Sequence, residues 1–143
     1  MAIVNQILQT KTVAVTSVLP DTMVIDALRL MAEKNIGAVL VMENQKLVGI
    51  FSERDYARKV ILKDKASNTT TIGEIMTSQL HTVKSTTSID ECMKLMTAFG
   101  FRHLPVMEDD KLIGIISIGD LVKFIIEEQK TTIKNLESYI KGQ

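Results

Sequence analysis

The 143-residue chain has no tryptophan, one cysteine, two prolines and only 4% aromatic residues. So few rings exclude the aromatic ladder on which single-stranded nucleic acid stacks. Lys plus Arg number 17 and Asp plus Glu number 17, so the net charge is zero. Without a basic field no nucleic-acid partner is expected. The longest apolar runs, residues 36–42 and 112–118, fall far short of the ~20 residues of a membrane span. No charged, apolar, small-residue leader opens the chain, so neither secretion nor a membrane role is expected. The lone Cys92 excludes an internal disulfide framework and suits a reducing cytoplasm. Two histidines and one cysteine far apart give no metal-ligand spacing, so no metal is expected. What remains is 45% apolar and 24% charged, with eight methionines. That is the balance of one ordinary globular domain with an aliphatic, methionine-rich core.

The chain repeats itself. Lys46, Leu47, Gly49, Ile50, Ser52 and Asp55 recur as Lys111, Leu112, Gly114, Ile115, Ser117 and Asp120, always 65 residues on. The match extends without a gap to Val18 and Val83 in one direction and to Ile61 and Ile126 in the other. A gapless match of this length marks a duplication.

Each copy has the same pattern. A short extended piece (residues 12–18 and 80–83) precedes an amphipathic helix. The helical ridges are Met23, Ala27, Leu30 and Met31 in copy one, and Ile89, Cys92, Met93 and Met96 in copy two. Ser88 and Glu91 have capping-box spacing. Two apolar runs joined by Glu43-Asn44-Gln45, or by Glu108-Asp109-Asp110, read as hairpins, and a second helix starts near Ser52 or Ser117. The expected fold class is α/β of the α+β kind: two tandem β-α-β-β-α repeats packed with pseudo-twofold symmetry. A unit of about 60 residues is marginal alone, which is why two copies would pack together. Repeat one is expected over residues 12–63 and repeat two over residues 72–128. The polar residues 63–71 link them, and residues 72–76 form a short helical lead-in to the second. A C-terminal helical extension covers residues 129–143. Its ridge of Ile133, Leu136, Tyr139 and Ile140 has no counterpart in copy one. It either folds back on Ile3, Ile7 and Leu8 or packs against a second subunit, and the second option is preferred.

The repeated turn, Gly49 to Asp55 and Gly114 to Asp120, reads glycine, two apolar residues, serine, two variable residues, aspartate. A serine followed at three by an acid is a helix-capping motif. The same turn also suits a nucleotide. Free N–H groups and the helix dipole attract phosphate, and an aspartate facing a cleft accepts ribose hydroxyls.

These residues resemble the cystathionine-β-synthase-type (CBS) domain pair, or Bateman module, over about residues 12–128. The duplicated Ser-x-x-Asp turn and the Leu104-Pro105-Val106 strand carry the resemblance. The stretch from Phe51 to Lys59 and the ending Tyr139-Ile140-Lys141-Gly142 are similar to small stand-alone CBS-pair proteins. The resemblance implies a regulatory module for adenosine-containing ligands (AMP, ADP, ATP, NAD or S-adenosylmethionine) that forms a disc-shaped homodimer. It implies that Asp55 and Asp120 hold ribose hydroxyls and that Ser52 and Ser117 touch ribose or phosphate. Adenine would lie between Val18 or Val83 and Ile36 or Phe101. Phosphate would meet Arg54, Arg102 or His103, beside Leu104 and Pro105. The pocket of Ser117, Asp120, Arg102 and His103 is expected to be the better phosphate site.

Other groups read blandly. His103 is a surface or capped histidine or else a phosphate contact, and His81 an inert loop residue. Cys92 is a buried structural thiol. Arg58, Lys59, Lys63 and Lys65 form a solvated basic face, from which Arg58 could lean toward a phosphate. No phosphate-binding loop, nucleophile elbow or catalytic triad spacing occurs. The expected function is therefore non-catalytic: a sensor that binds AMP, ADP, ATP or NAD and signals to an unidentified regulated protein. The alternative is a structural or dimerisation module without a ligand.

Overall fold

The computed structural model describes residues 1–11 and 15–142. The chain opens with α1 (Val4–Leu8). Repeat one follows: β1 (Ser17–Val18), α2 (Val24–Lys34), β2 (Ala38–Glu43), β3 (Lys46–Ser52) and α3 (Glu53–Asp55), which continues as a π-helical segment, Tyr56–Ile61. A short α4 (Ile72–Ile75) leads to repeat two: α5 (Ile89–Phe99), β4 (His103–Glu108), β5 (Lys111–Ser117) and the long α6 (Ile118–Ile140). The first extended piece is shorter than expected. Ser17 and Val18 pair in parallel with Leu40 and Val41, and Thr12, Val13 and Ala14 lie outside the described residues. In repeat two, residues 80–83 shrink to a single parallel bridge between Val83 and Val106.

Local chemistry sets the element ends. α2 buries Val24, Ala27 and Met31 at helical spacing and stops at Asn35, which takes the left-handed conformation (φ 54°, ψ 51°). α5 buries Ile89, Cys92 and Met96; Ser88 Oγ accepts the Glu91 N–H, and Gly100 ends the helix at φ 71°. The two hairpins turn through Asn44-Gln45 and Asp109-Asp110, all four with positive φ. That is the twist a two-residue turn needs to match its strands. Both hairpins shift register at equivalent places, Val41/Met42 and Val106/Met107.

There are two cores, and each is completed from outside its own repeat. Val39, Val41, Phe51 and Val60 pack with α2 and with Ile72 and Ile75 of α4. Leu104, Val106, Ile116 and Leu121 pack with α5 and with Val4 and Ile7 of α1. The helix before each repeat thus seals the other one. Two glycines make room for this. A Cβ at Gly49 would stand 2.5 Å from Met76 Sδ, and one at Gly114 2.7 Å from Leu8 Cδ2. Val4, Ile7 and Leu8 therefore correspond to Ile72, Ile75 and Met76, at an offset of 68 residues (Val4 to Ile72) and not 65.

Only the start of α6 meets a core. Leu121 is buried and Phe124 and Ile125 pack beside it, while Val122 and Ile126 are exposed. The ridge of Ile133, Leu136, Tyr139 and Ile140 is exposed as well, so it does not fold back on Ile3, Ile7 and Leu8. No helix among the described residues is long and apolar enough to cross a membrane.

The exchanged helices give a direct test. Ile7→Ala and Ile75→Ala are each expected to lower the unfolding free energy by ~2–5 kcal/mol in urea denaturation. A loss below ~0.5 kcal/mol for Ile7→Ala would show that α1 is not part of the second core.

Candidate functional site

The repeated turn is a capping box in both copies. Asp55 Oδ2 accepts the Ser52 N–H at 2.9 Å and the Ser52 hydroxyl at 3.1 Å, while Ser52 Oγ accepts the Asp55 N–H at 3.2 Å. Asp120 Oδ2 accepts the Ser117 N–H at 2.9 Å, and Ser117 Oγ accepts the Asp120 N–H at 3.0 Å. Each turn is also tied to the residue before its partner strand. Glu53 N–H donates to the Gly37 carbonyl (3.1 Å), and Ile118 N–H to that of Arg102 (2.9 Å). Capping and facing a cleft are therefore duties of the same aspartate.

Two clefts flank the contact between the repeats. One, of about 440 Å³, joins Ser52, Arg54 and Asp55 to Leu80, His81 and residues 100–103 of the second repeat. The other, of about 450 Å³, joins Ser117 and Asp120 to Val15, Thr16 and residues 35–38 of the first. Both fall within the ~300–1,000 Å³ of small-ligand sites. Each cleft takes its Ser-x-x-Asp turn from one repeat and its facing wall from the other. Gly37 and His103 line both clefts.

Their electrostatics differ. The Asp55 cleft holds Arg54, Arg58, Lys59 and Arg102 against Glu53 and Asp55, an excess of positive charge. Arg54 is held by a 2.9 Å bond to the Gly100 carbonyl. Asp55 Oδ1 accepts the Thr77 hydroxyl at 3.1 Å and lies 3.1 Å from Lys59 Nζ. The Asp120 cleft holds only Lys11 against Asp120, besides the shared His103. Lys11 Nζ donates to both Asp120 Oδ2 and the Ile115 carbonyl, at 2.8 Å each. Burial acts to raise the Asp120 carboxyl, but the bonds from Lys11 and Ser117 outweigh it and hold it below its ordinary value. Burial lowers His103; Asp120 opposes this, and Lys11 and Arg102 add to it. Burial, with Glu91 nearby, raises the Cys92 thiol to about 11, which leaves it protonated and inert.

Most expected residues line a cleft, with a changed grouping. Ser52, Arg54, Asp55, Phe101, Arg102, His103 and Pro105 share the Asp55 cleft. Ile36, Ser117 and Asp120 share the other. Arg102 was expected beside Asp120. Its backbone is indeed tied to the Ser117 turn, but it lines the opposite cleft. Val83 and Leu104 are buried in the second core and Val18 packs on the first, so none of the three lines a cleft. The wall expected of Val18 and Val83 is made three residues earlier in each copy, by Val15 and Thr16 and by Leu80 and His81. His81, read as inert, stacks on Phe99 with ring centroids 4.4 Å apart and lies 5.2 Å from Phe101. Lys11, Lys59, Thr77 and Gln79 also belong to the clefts. Lys11 and Gln79 are matched by the 68-residue offset of the lead-in helices, and that offset was the signal available for them. Among the described residues no cluster of His, Cys, Asp and Glu could hold a metal ion.

The shifted groups set a pH dependence. His103 binds its proton more weakly when folded, so its contribution is complete above its ordinary value of 6.5 and is lost as pH falls through and below it. Asp120 acts in a lower window: its contribution holds above 3.8 and is lost as pH falls toward the depressed folded value. His103→Asn is therefore expected to flatten the stability profile between about pH 7.5 and 5.5 in denaturation experiments. Identical profiles for variant and wild type would contradict the burial of a neutral His103.

Known proteins share this architecture. The family model of the CBS domain matches residues 4–62 and 72–127, most of the chain and both repeats. The Arabidopsis thaliana protein CBSX3, mitochondrial, a CBS domain-containing protein, is 41% identical over 127 residues; these cover 85% of this chain and 62% of that one. The chain thus spans under two thirds of that relative. YhcV of Bacillus subtilis, also CBS domain-containing, is 29% identical over 82% of this chain and 83% of its own. A solved CBS-domain protein from Burkholderia ambifaria superposes with a TM-score of 0.87 at 49% identity, covering 90% of this chain and 96% of that one. The structure of CBSX2 in complex with AMP superposes with a TM-score of 0.75 at 27% identity, covering 90% and 99%. With its two matched repeats, each sealed by the helix before the other, the chain belongs to the CBS-domain family.

Proposed function

We propose that the protein is a non-catalytic regulatory module that binds an adenosine-containing nucleotide (AMP, ADP, ATP or NAD) between its two repeats. By its binding state it signals energy or redox status to a regulated protein. The observation that carries this reading is the Asp55 cleft. A carboxylate beside a helix start, four basic side chains and the His81–Phe101 ring pair face one another there across the repeat boundary. The rings suit a flat base, the aspartate a ribose and the arginines a phosphate. The complex of CBSX2 with AMP supports the ligand class. Phosphate-bearing ligand goes to the Asp55 cleft, since Arg54, Arg58 and Arg102 line it while the Asp120 cleft offers no arginine; each aspartate is paired with a lysine, Lys59 or Lys11. In this reading Asp55, Ser52, Arg54, Arg102 and Phe101 contact ligand, whereas Val18, Val83 and Leu104 support the walls.

The mechanism is a shift of population. A ligand that touches both repeats favours the packing in which both walls are correctly spaced. The module acts as a homodimer. Its single buried Cys92 suits a reducing compartment, the cytoplasm being the one expected; the plant relative carries a mitochondrial label. A purely structural module would instead rest on the exposed ridge of α6 and would show no response to nucleotide.

A thermal-shift panel tests the reading. At 100 times its dissociation constant the right nucleotide adds ~2.7 kcal/mol, a Tm rise of roughly 5–10 °C. Asp55→Ala is expected to weaken binding by ~1.5–3 kcal/mol, and Asp120→Ala to affect phosphate-bearing ligand less. No shift with AMP, ADP, ATP or NAD would refute the nucleotide reading.

A further inference from the structure

α6 continues beyond residue 127, where the family match ends. No side chain of residues 127–140 is buried, and only Ser138 is less than exposed. A lone helix of this length is marginal in water and is normally held by packing of one face. That face is present. Val122, Ile126, Gln129, Ile133, Leu136 and Ile140 step by 4-3-4-3-4, the spacing of a coiled-coil seam. The five apolar members are 44% to 81% exposed. The seam begins on the body and runs to the tip of the arm, so one surface of one kind is offered along nearly the whole helix.

We infer that this seam is an interface with a second copy of the chain, in which two α6 helices pair antiparallel about a twofold axis near Thr131. In that register Ile126 packs against Leu136 of the second copy, Ile133 against Gln129, and Val122 against Ile140. Lys123 then lies opposite Glu137 of the second copy, twice over. Lys130 meets its own mate, the one like-charge contact, and Glu127 lies 3.8 Å from it within each helix to offset that charge. A parallel pair would set Lys130 opposite Ile125 and Glu137 opposite Thr132, with no opposite charges matched. Flanking charges choose the orientation of such pairs, and here they choose the antiparallel one. The inference rests on the homodimer reading and is independent of nucleotide binding. It assigns the subunit contact to the C-terminal arm.

Sedimentation of the full chain tests it. Ile133→Asp combined with Leu136→Asp alters only exposed residues of the arm, and is expected to remove one association step. Glu137→Lys is expected to raise the dissociation constant about tenfold, and Lys123→Glu added to it to restore the wild-type value within about twofold. Under mild oxidation Thr132→Cys, near the axis, is expected to form a covalent dimer, and Ile140→Cys, far from its mate, is not. Native Cys92 is buried and does not compete. A chain that stays monomeric overturns both this interface and the homodimer reading. An assembly indifferent to the paired aspartates overturns the interface alone, and cross-linking through Ile140→Cys but not Thr132→Cys overturns the antiparallel register. Nucleotide-induced Tm shifts, measured on the same variants, are expected to stay as in wild type.

Discussion

Neither repeat closes its own core. A β-α-β-β-α unit of this size leaves too much apolar surface open, and here the missing cover comes from the helix that precedes the other repeat. Val4 and Ile7 seal the second core, Ile72 and Ile75 the first. The exchange makes the two repeats one folding unit. It also fixes the segments just after each exchanged helix, so that Lys11 and Gln79 enter the clefts. The location of both clefts follows: each has a turn from one repeat and a wall from the other, so whatever fills a cleft touches both.

Within that symmetric frame the charges are unequal. The chain as a whole is neutral, so any attraction for phosphate is local. It is concentrated in the cleft that Arg54, Arg58 and Arg102 line together with Asp55. The other cleft has no arginine, and its single lysine, Lys11, is paired with Asp120 at 2.8 Å, as Lys59 is with Asp55 at 3.1 Å. His103 stands in the wall common to both. A change of charge on either side reaches it directly, since burial and the charges of Asp120, Lys11 and Arg102 together set its proton affinity.

The duplication was legible because a 65-residue offset repeats both the hairpins and the Ser-x-x-Asp turns. The capping boxes followed from their spacing, since Ser and Asp at that separation bond locally whatever surrounds them. What was not legible depends on the crossing of the chain. Arg102 precedes the strand paired with Ser117, and sequence proximity placed it with Asp120. The crossed packing places it in the wall of the Asp55 cleft. α1 escaped notice because its match to α4 uses a different offset, three residues longer. Val18, Val83 and Leu104 have the apolar character of a base-binding wall but are needed in the cores. His81 gains its place only by stacking on Phe99, a contact that no local pattern announces.

A titration of the isotopically labelled protein with AMP, followed by amide ¹H–¹⁵N spectra, asks most directly whether nucleotide binds across the repeat boundary. The expected result is that amides of Ser52, Arg54 and Asp55 move together with those of His81, Phe101 and Arg102, in one saturable process. Perturbation confined to one repeat, or none at saturating AMP, would contradict it.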